Sequence, residues 1–212
     1  LDLLRAIAGR FGLSGMLGWQ YLRKGETEDE LPPVVLIVAI SMIAGAVTTI
    51  VGAVMLMLYI AQWLAPELQF DALLMKNAVF LFGHTLVNIT MYCGVAVVYE
   101  LLPTYSGRPW KTNPIVVISW NFVLLLVLLA FLHHLYMDFV QPVALQVAGQ
   151  IASFLSAVPA TVVTVFGVMT QVYRSGIRWT FVPLSMVLGV MGWIVGGLAA
   201  IVDSTIVVNI LF

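Results

Sequence analysis

Five stretches of this chain, 33–64, 74–102, 115–134, 143–172 and 181–212, run on with almost no charge. About 20 apolar residues in a helix cross the ~30 Å hydrocarbon layer of a membrane. No water reaches the backbone inside that layer, so each segment must satisfy its own N–H and C=O groups by coiling into a helix. The expected fold is therefore all-α, a polytopic transmembrane helix bundle with five spans in view. Composition agrees: 62% of the residues are hydrophobic and 9% charged, with a mean hydropathy of +1.06, where soluble domains carry about 25% charged residues.

Residues 1–30 differ in character. Arg5, Arg10, Arg23 and Lys24 are followed by Glu26, Glu28, Asp29 and Glu30, which reads as an interfacial or loop segment ahead of one membrane domain over 31–212. Leu1 is no initiator methionine and the last apolar run stops in mid-helix at Phe212, so a longer polypeptide is expected on both sides. A net charge of −1 leaves no electrostatic basis for a nucleic-acid partner. The single cysteine, Cys93, excludes an internal disulfide and any multi-thiolate iron–sulfur or zinc site. It reads as a small core residue.

Lys and Arg alternate in density along the loops. Four precede the first span, Lys76 alone follows it, Arg108 and Lys111 follow the second, none follows the third, and Arg174 and Arg178 follow the fourth. The positive-inside rule places the N-terminal segment and the loops near 103–112 and 173–179 in the cytoplasm. His84 then lies about ten residues below the outer end of the second span, at ~1.5 Å per residue. His133 and His134 close the outer end of the third.

These three are all the histidines of the chain, and the topology brings them to one half of the membrane. A buried imidazole must find a polar partner or cost several kcal/mol. Each could hydrogen-bond a neighbour within the bundle. A shared ion accounts for all three at once, and copper accepts imidazole nitrogens where calcium or magnesium would require oxygen. Adjacent histidines point ~100° apart on an α-helix, so they can serve one ion only where the helix ends or bends.

Polar residues continue away from this site. Gln146, Gln150, Ser153, Thr161, Thr164 and Gln171 fall near one stripe of the fourth span, and Asn88, Tyr92 and Tyr99 extend the His84 face of the second. Hydroxyls, amides and water in sequence would conduct protons; equally, Ser and Thr bond the i−4 carbonyl and Gln joins helices. Asp71 and Glu100 at span ends read as interface anchors, and Trp63, Trp110 and Trp179 as an aromatic belt. Without a metal, His84, His133 and the stripe would suit a non-redox proton-conducting transporter. Neither broken helices nor an inverted repeat, the marks of such a protein, is evident.

The stretches Leu81-Phe82-Gly83-His84-Thr85-Leu86-Val87-Asn88 and Phe131-Leu132-His133-His134 resemble the catalytic subunit of the heme-copper oxidase superfamily, the cytochrome c oxidase subunit I type. A Gly-His pair followed some fifty residues later by adjacent histidines is that family's signature for the copper called CuB. Ala157-Val158-Pro159 and Gly196-Gly197 look like its B-type branch. The resemblance covers nearly everything after Pro33 and implies the middle of a subunit of twelve or more helices. It implies a bacterial or archaeal cytoplasmic membrane, other subunits of a respiratory complex, and a cytochrome c, a cupredoxin or a quinol as electron donor. It also implies high-spin and low-spin hemes whose iron ligands lie outside this chain, since no histidine remains for them. Asp203 would approach a heme propionate or an exit route, or bond a neighbouring helix.

Asn88 departs from the oxygen-reducing pattern, in which the residue four beyond the Gly-His histidine is a tyrosine bonded to it. An amide hydrogen-bonds but cannot be oxidised to a radical. The substitution favours nitric oxide reduction to nitrous oxide over dioxygen reduction to water with proton pumping. Tyr92, two turns on, lies too far along the axis to bond His84. By the same resemblance Tyr99, just before Leu101-Leu102-Pro103, is a proton-path tyrosine; Gln150, Ser153, Thr161 and Thr164 of the stripe are the candidates to continue such a path.

Overall fold

The computed structural model describes residues 12, 15–19, 31–138 and 140–211. Among the described residues five helical segments are long and apolar enough to cross a membrane. They are α1 (Pro33–Leu64), α2 (Ala72–Ser106), α3 (Pro114–Ala130) continued by a 3-10 turn to Leu135, α4 (Val143–Val172) and α5 (Phe181–Asp203), with a short α6 (Ile206–Leu211) after them. No strand occurs among the described residues. The fold is the polytopic helical bundle that the apolar runs require.

Local chemistry sets the starts. Pro33 and Pro114 open α1 and α3 in the first turn, where a missing N–H costs no helical bond. The Asp71 side chain accepts from Leu74 N at 2.6 Å and the Asn113 side chain from Val116 N at 3.0 Å. Asp71, expected to anchor at the interface, is thus the N-cap of α2, a contribution of about 1 kcal/mol. α2 closes at Gly107, whose φ of 68° is the left-handed stop that glycine permits.

α1 packs along α2 and α3 along α4, while α5 rests on α4 and α2. The main core gathers Leu36, Ile40, Tyr99, Val117 and Trp120 between α1, α2 and α3. A second cluster joins Val98 and Leu102 to Val168, Met186 and Val190. Leu17 belongs to the main core, and Trp19 Nε1 donates to Asn121 Oδ1 at 2.8 Å, so residues 15–19 lie against α3. The basic and acidic clusters of the 1–30 segment lie outside the described residues, as does Phe212.

Three expectations change. The fifth apolar run does not continue unbroken to its end; its helix stops at Asp203. The Ser204 carbonyl accepts from Tyr136 Oη at 3.1 Å and Ile206 N donates to Gln150 Oε1 at 2.9 Å, so tertiary bonds replace the helical ones there. The third run changes character too, closing in a 3-10 turn over Phe131–Leu135. Cys93 is exposed on α2, because the buried face of that helix runs through Tyr92, Val95, Ala96 and Tyr99.

Candidate metal centre

His84 sits in the middle of α2, and His133 and His134 sit in the 3-10 turn after α3. That turn supplies the departure from α geometry that neighbouring histidines need, and tightened last turns are common at helix ends. The ring centroids lie 5.1 Å apart for His84 and His133, 5.1 Å for His84 and His134, and 4.0 Å for His133 and His134. One nitrogen from each ring lies within 4.8 Å of the other two. Three nitrogens ligating one ion at ~2.0–2.1 Å would stand roughly 3.3–3.6 Å apart, inside the 4.8 Å that bounds the set. The donors are nitrogen only, which fits copper and not calcium or magnesium.

Two neighbours hold the rings. His133 Nδ1 is 2.9 Å from Ser153 Oγ, and that hydroxyl is 2.7 Å from the Gly149 carbonyl. α4 comes this close because position 149 is glycine: a Cβ there would stand 2.6 Å from Leu132 Cβ. Asn88 Nδ2 donates to the His84 carbonyl at 2.9 Å and lies 3.1 Å from His84 Nδ1. Tyr92 Oη then donates to Asn88 Oδ1 at 3.4 Å, which extends the file by one phenol. His133 is buried, His84 half-buried and His134 exposed.

The rings open on a cavity of about 460 Å³ whose lining includes Asn88, Ser153, Thr161, Gly196 and Asp203. Gly192, Gly196 and Gly197 line its α5 side, and nothing stands within 4 Å of where their side chains would be. That face leaves open space beside the three rings. All three histidines of the chain are in the cluster, so none is left to ligate a heme iron.

The residues of the expected proton path separate. Tyr99 Oη and Thr164 Oγ1 are 3.1 Å apart and buried. Ser153 stands at His133 and Thr161 at the cavity wall. Gln150 spends its side-chain oxygen on Ile206 N, at the start of α6. Gln171 accepts from Ser106 Oγ at 2.6 Å, joining α4 to α2. Asp203 both lines the cavity and accepts from Asn209 Nδ2 at 3.2 Å.

Sequence reasoning missed two partners. Ser153 was visible as a stripe residue but not as the support of His133. Trp110, expected in an aromatic belt, instead stacks on Tyr99 with centroids 3.9 Å apart, whereas Trp63 and Trp179 are exposed at helix ends. No local signal marks either contact.

Helices long and apolar enough to cross a bilayer, with three imidazoles converging between them, define a membrane protein with a cluster of nitrogen donors that could hold a metal ion. The family of cytochrome c and quinol oxidase polypeptide I matches residues 11–212, and the chain belongs to it. It is therefore a heme–copper oxidase catalytic subunit, an integral membrane oxidoreductase of the respiratory chain in a family whose cofactors are heme and copper and whose members typically work in multi-subunit complexes. No curated protein and no solved structure matches the chain.

Proposed function

We propose that His84, His133 and His134 hold the copper of this subunit beside a high-spin heme, and that the site reduces nitric oxide to nitrous oxide. The observation that carries the choice of substrate is Asn88, whose amide stands against the His84 ring where oxygen-reducing relatives carry a tyrosine. An amide donates a hydrogen bond but yields neither an electron nor an acidic proton. Joining two nitric oxide molecules into nitrous oxide and water consumes two electrons and two protons, with no dioxygen bond to cleave, so the phenol is not required.

When bound, copper and heme iron supply the open positions for the gas and the electrons that reduce it. Ser153 orients the His133 ring, the work of a supporting partner at a metal site, and the Asn88 amide stands beside His84 Nδ1. Tyr99, Thr164 and Thr161 lead protons from the Arg108 end of the bundle toward Ser153. The side bearing Arg108 and Arg174 is cytoplasmic in a bacterial or archaeal membrane by the positive-inside rule. Electrons arrive from a cytochrome c, a cupredoxin or a quinol through other parts of the complex.

Dioxygen reduction is the second reading, and Tyr92 favours it: its phenol is one hydrogen bond from Asn88. The test is metal and heme analysis of the purified complex, followed by turnover on each gas. Copper and heme together with nitrous oxide formation support the proposal. Rapid dioxygen turnover without nitric oxide consumption overturns the assignment of substrate, and absence of both cofactors overturns the assignment of the site.

A further inference from the structure

Tyr99 is held on three sides. Trp110 lies flat on its ring, 3.9 Å between centroids and 18° between planes. Trp120 meets it edge-on at 6.4 Å and 84°, and Thr164 takes its hydroxyl. Trp110 belongs to the loop between α2 and α3, and it reaches Tyr99 only because α4 yields space at Gly167, where any Cβ would run into the indole ring. Gly167 is three residues beyond Thr164, on the same face of α4. The notch that seats the indole and the hydroxyl that partners Tyr99 are therefore one turn apart on one rigid element. Trp110 also lines a second cavity of about 490 Å³, together with Lys111, Asn113, Thr170 and Gln171. Tyr99 itself is 3% exposed, so the indole stands between it and that cavity.

From this arrangement we infer that Trp110, seated in the Gly167 notch, is a positioning residue that clamps the Tyr99 phenol onto Thr164 and so sets the rate of proton delivery past that pair. The inference rests on the proposed proton role of Tyr99. A stacked aromatic pair contributes directionality beyond its buried area, and a phenol free to swing spends less time aligned for transfer, which is costly in proton-transfer steps.

The experiment uses the intact respiratory complex. The fully reduced complex is mixed with nitric oxide and, separately, with dioxygen in weakly buffered medium containing a pH-indicator dye, and proton uptake and heme oxidation are recorded together in water and deuterium oxide. Gly167→Ala is expected to slow proton uptake about tenfold or more and to enlarge its isotope effect, with copper content and the heme spectrum unchanged. Trp110→Ala removes the same contact without adding bulk and should act alike, which covers the case in which Gly167→Ala does not assemble. Trp110→Phe keeps an aromatic face and should restore uptake to within about twofold of the parent. If Tyr99→Phe slows uptake while Trp110→Ala proceeds at the parent rate, the clamp is overturned and the proton route stands. Should Trp110→Phe be as slow as Trp110→Ala, or should copper be lost in step with uptake, the clamp is likewise overturned. Parent-rate uptake in Tyr99→Phe overturns the proton route and the clamp with it.

Discussion

Ser153 Oγ lies 2.7 Å from the Gly149 carbonyl and 2.9 Å from His133 Nδ1, and a hydroxyl has one proton to give. Donated to the carbonyl, it leaves Oγ to accept from Nδ1–H, and the lone pair for a metal is then on Nε2. Ser153→Ala removes that orientation and should weaken copper binding by about 10–100-fold, measured by competition with a copper chelator; unchanged affinity would show that the ring is held by packing alone. Gly149→Ala acts one step earlier. Its Cβ would meet Leu132 at 2.6 Å, and overpacking of this kind costs roughly 1–3 kcal/mol, readable as a lower denaturation midpoint. Copper loss should accompany it. The histidines themselves were legible in the sequence, because imidazoles in apolar runs have few other uses. Their supports were not, since Ser153 reaches His133 only through a close helix approach that glycine permits and that no spacing rule reports.

Between elements, the segments that carry the three histidines are tied at one end by adjacent pairs. Lys76 Nζ meets Asp138 at 2.7 Å, and Gln141 Nε2 donates to Asn77 Oδ1 at 3.0 Å. The Lys76 and Asp138 side chains are 47% and 25% exposed, so the ion pair is partly screened and worth about 1 kcal/mol or less. Lys76→Gln should therefore leave both copper content and the melting temperature close to those of the parent, and a large fall in either would assign the pair a role that its exposure argues against. Gln150 makes the contrasting case. Gln150→Leu strips Ile206 N of its acceptor at a cost of about 1 kcal/mol, and residues 206–211 should exchange their amides faster while α1 to α5 stay protected. The five long helices were legible because apolar length over-determines them. The stop at Ser204 had a local mark in Asp203-Ser204-Thr205, but the bonds that hold it, from Tyr136 to Ser204 and from Ile206 to Gln150, span 68 and 56 residues and left no trace in the run.

Across the whole molecule, the two ends of the bundle differ in charge. Arg108 donates to the Thr170, Tyr173 and Arg174 carbonyls at 2.7, 2.6 and 2.8 Å, so the loop after α2 and the loop after α4 share one end, with Lys111 and Arg178 in the same two loops. The opposite end carries Lys76, already paired with Asp138. The positive-inside rule predicts a cytoplasmic Arg108 end, and thiol labelling checks it directly. Cys93 is exposed, so a Cys93→Ser background is needed, into which Met137→Cys and Ser175→Cys are placed singly. A membrane-impermeant maleimide should label Met137→Cys in intact cells and Ser175→Cys only in inverted vesicles. The reverse pattern would invert the bundle. The consequence is mechanistic, because Tyr99 and Thr164 lie toward the Arg108 end while His133 and His134 close the other. On the proposed proton route, labelling that puts Arg108 inside would bring cytoplasmic protons past Tyr99 toward the three histidines, and labelling that puts it outside would require them to come from the opposite compartment.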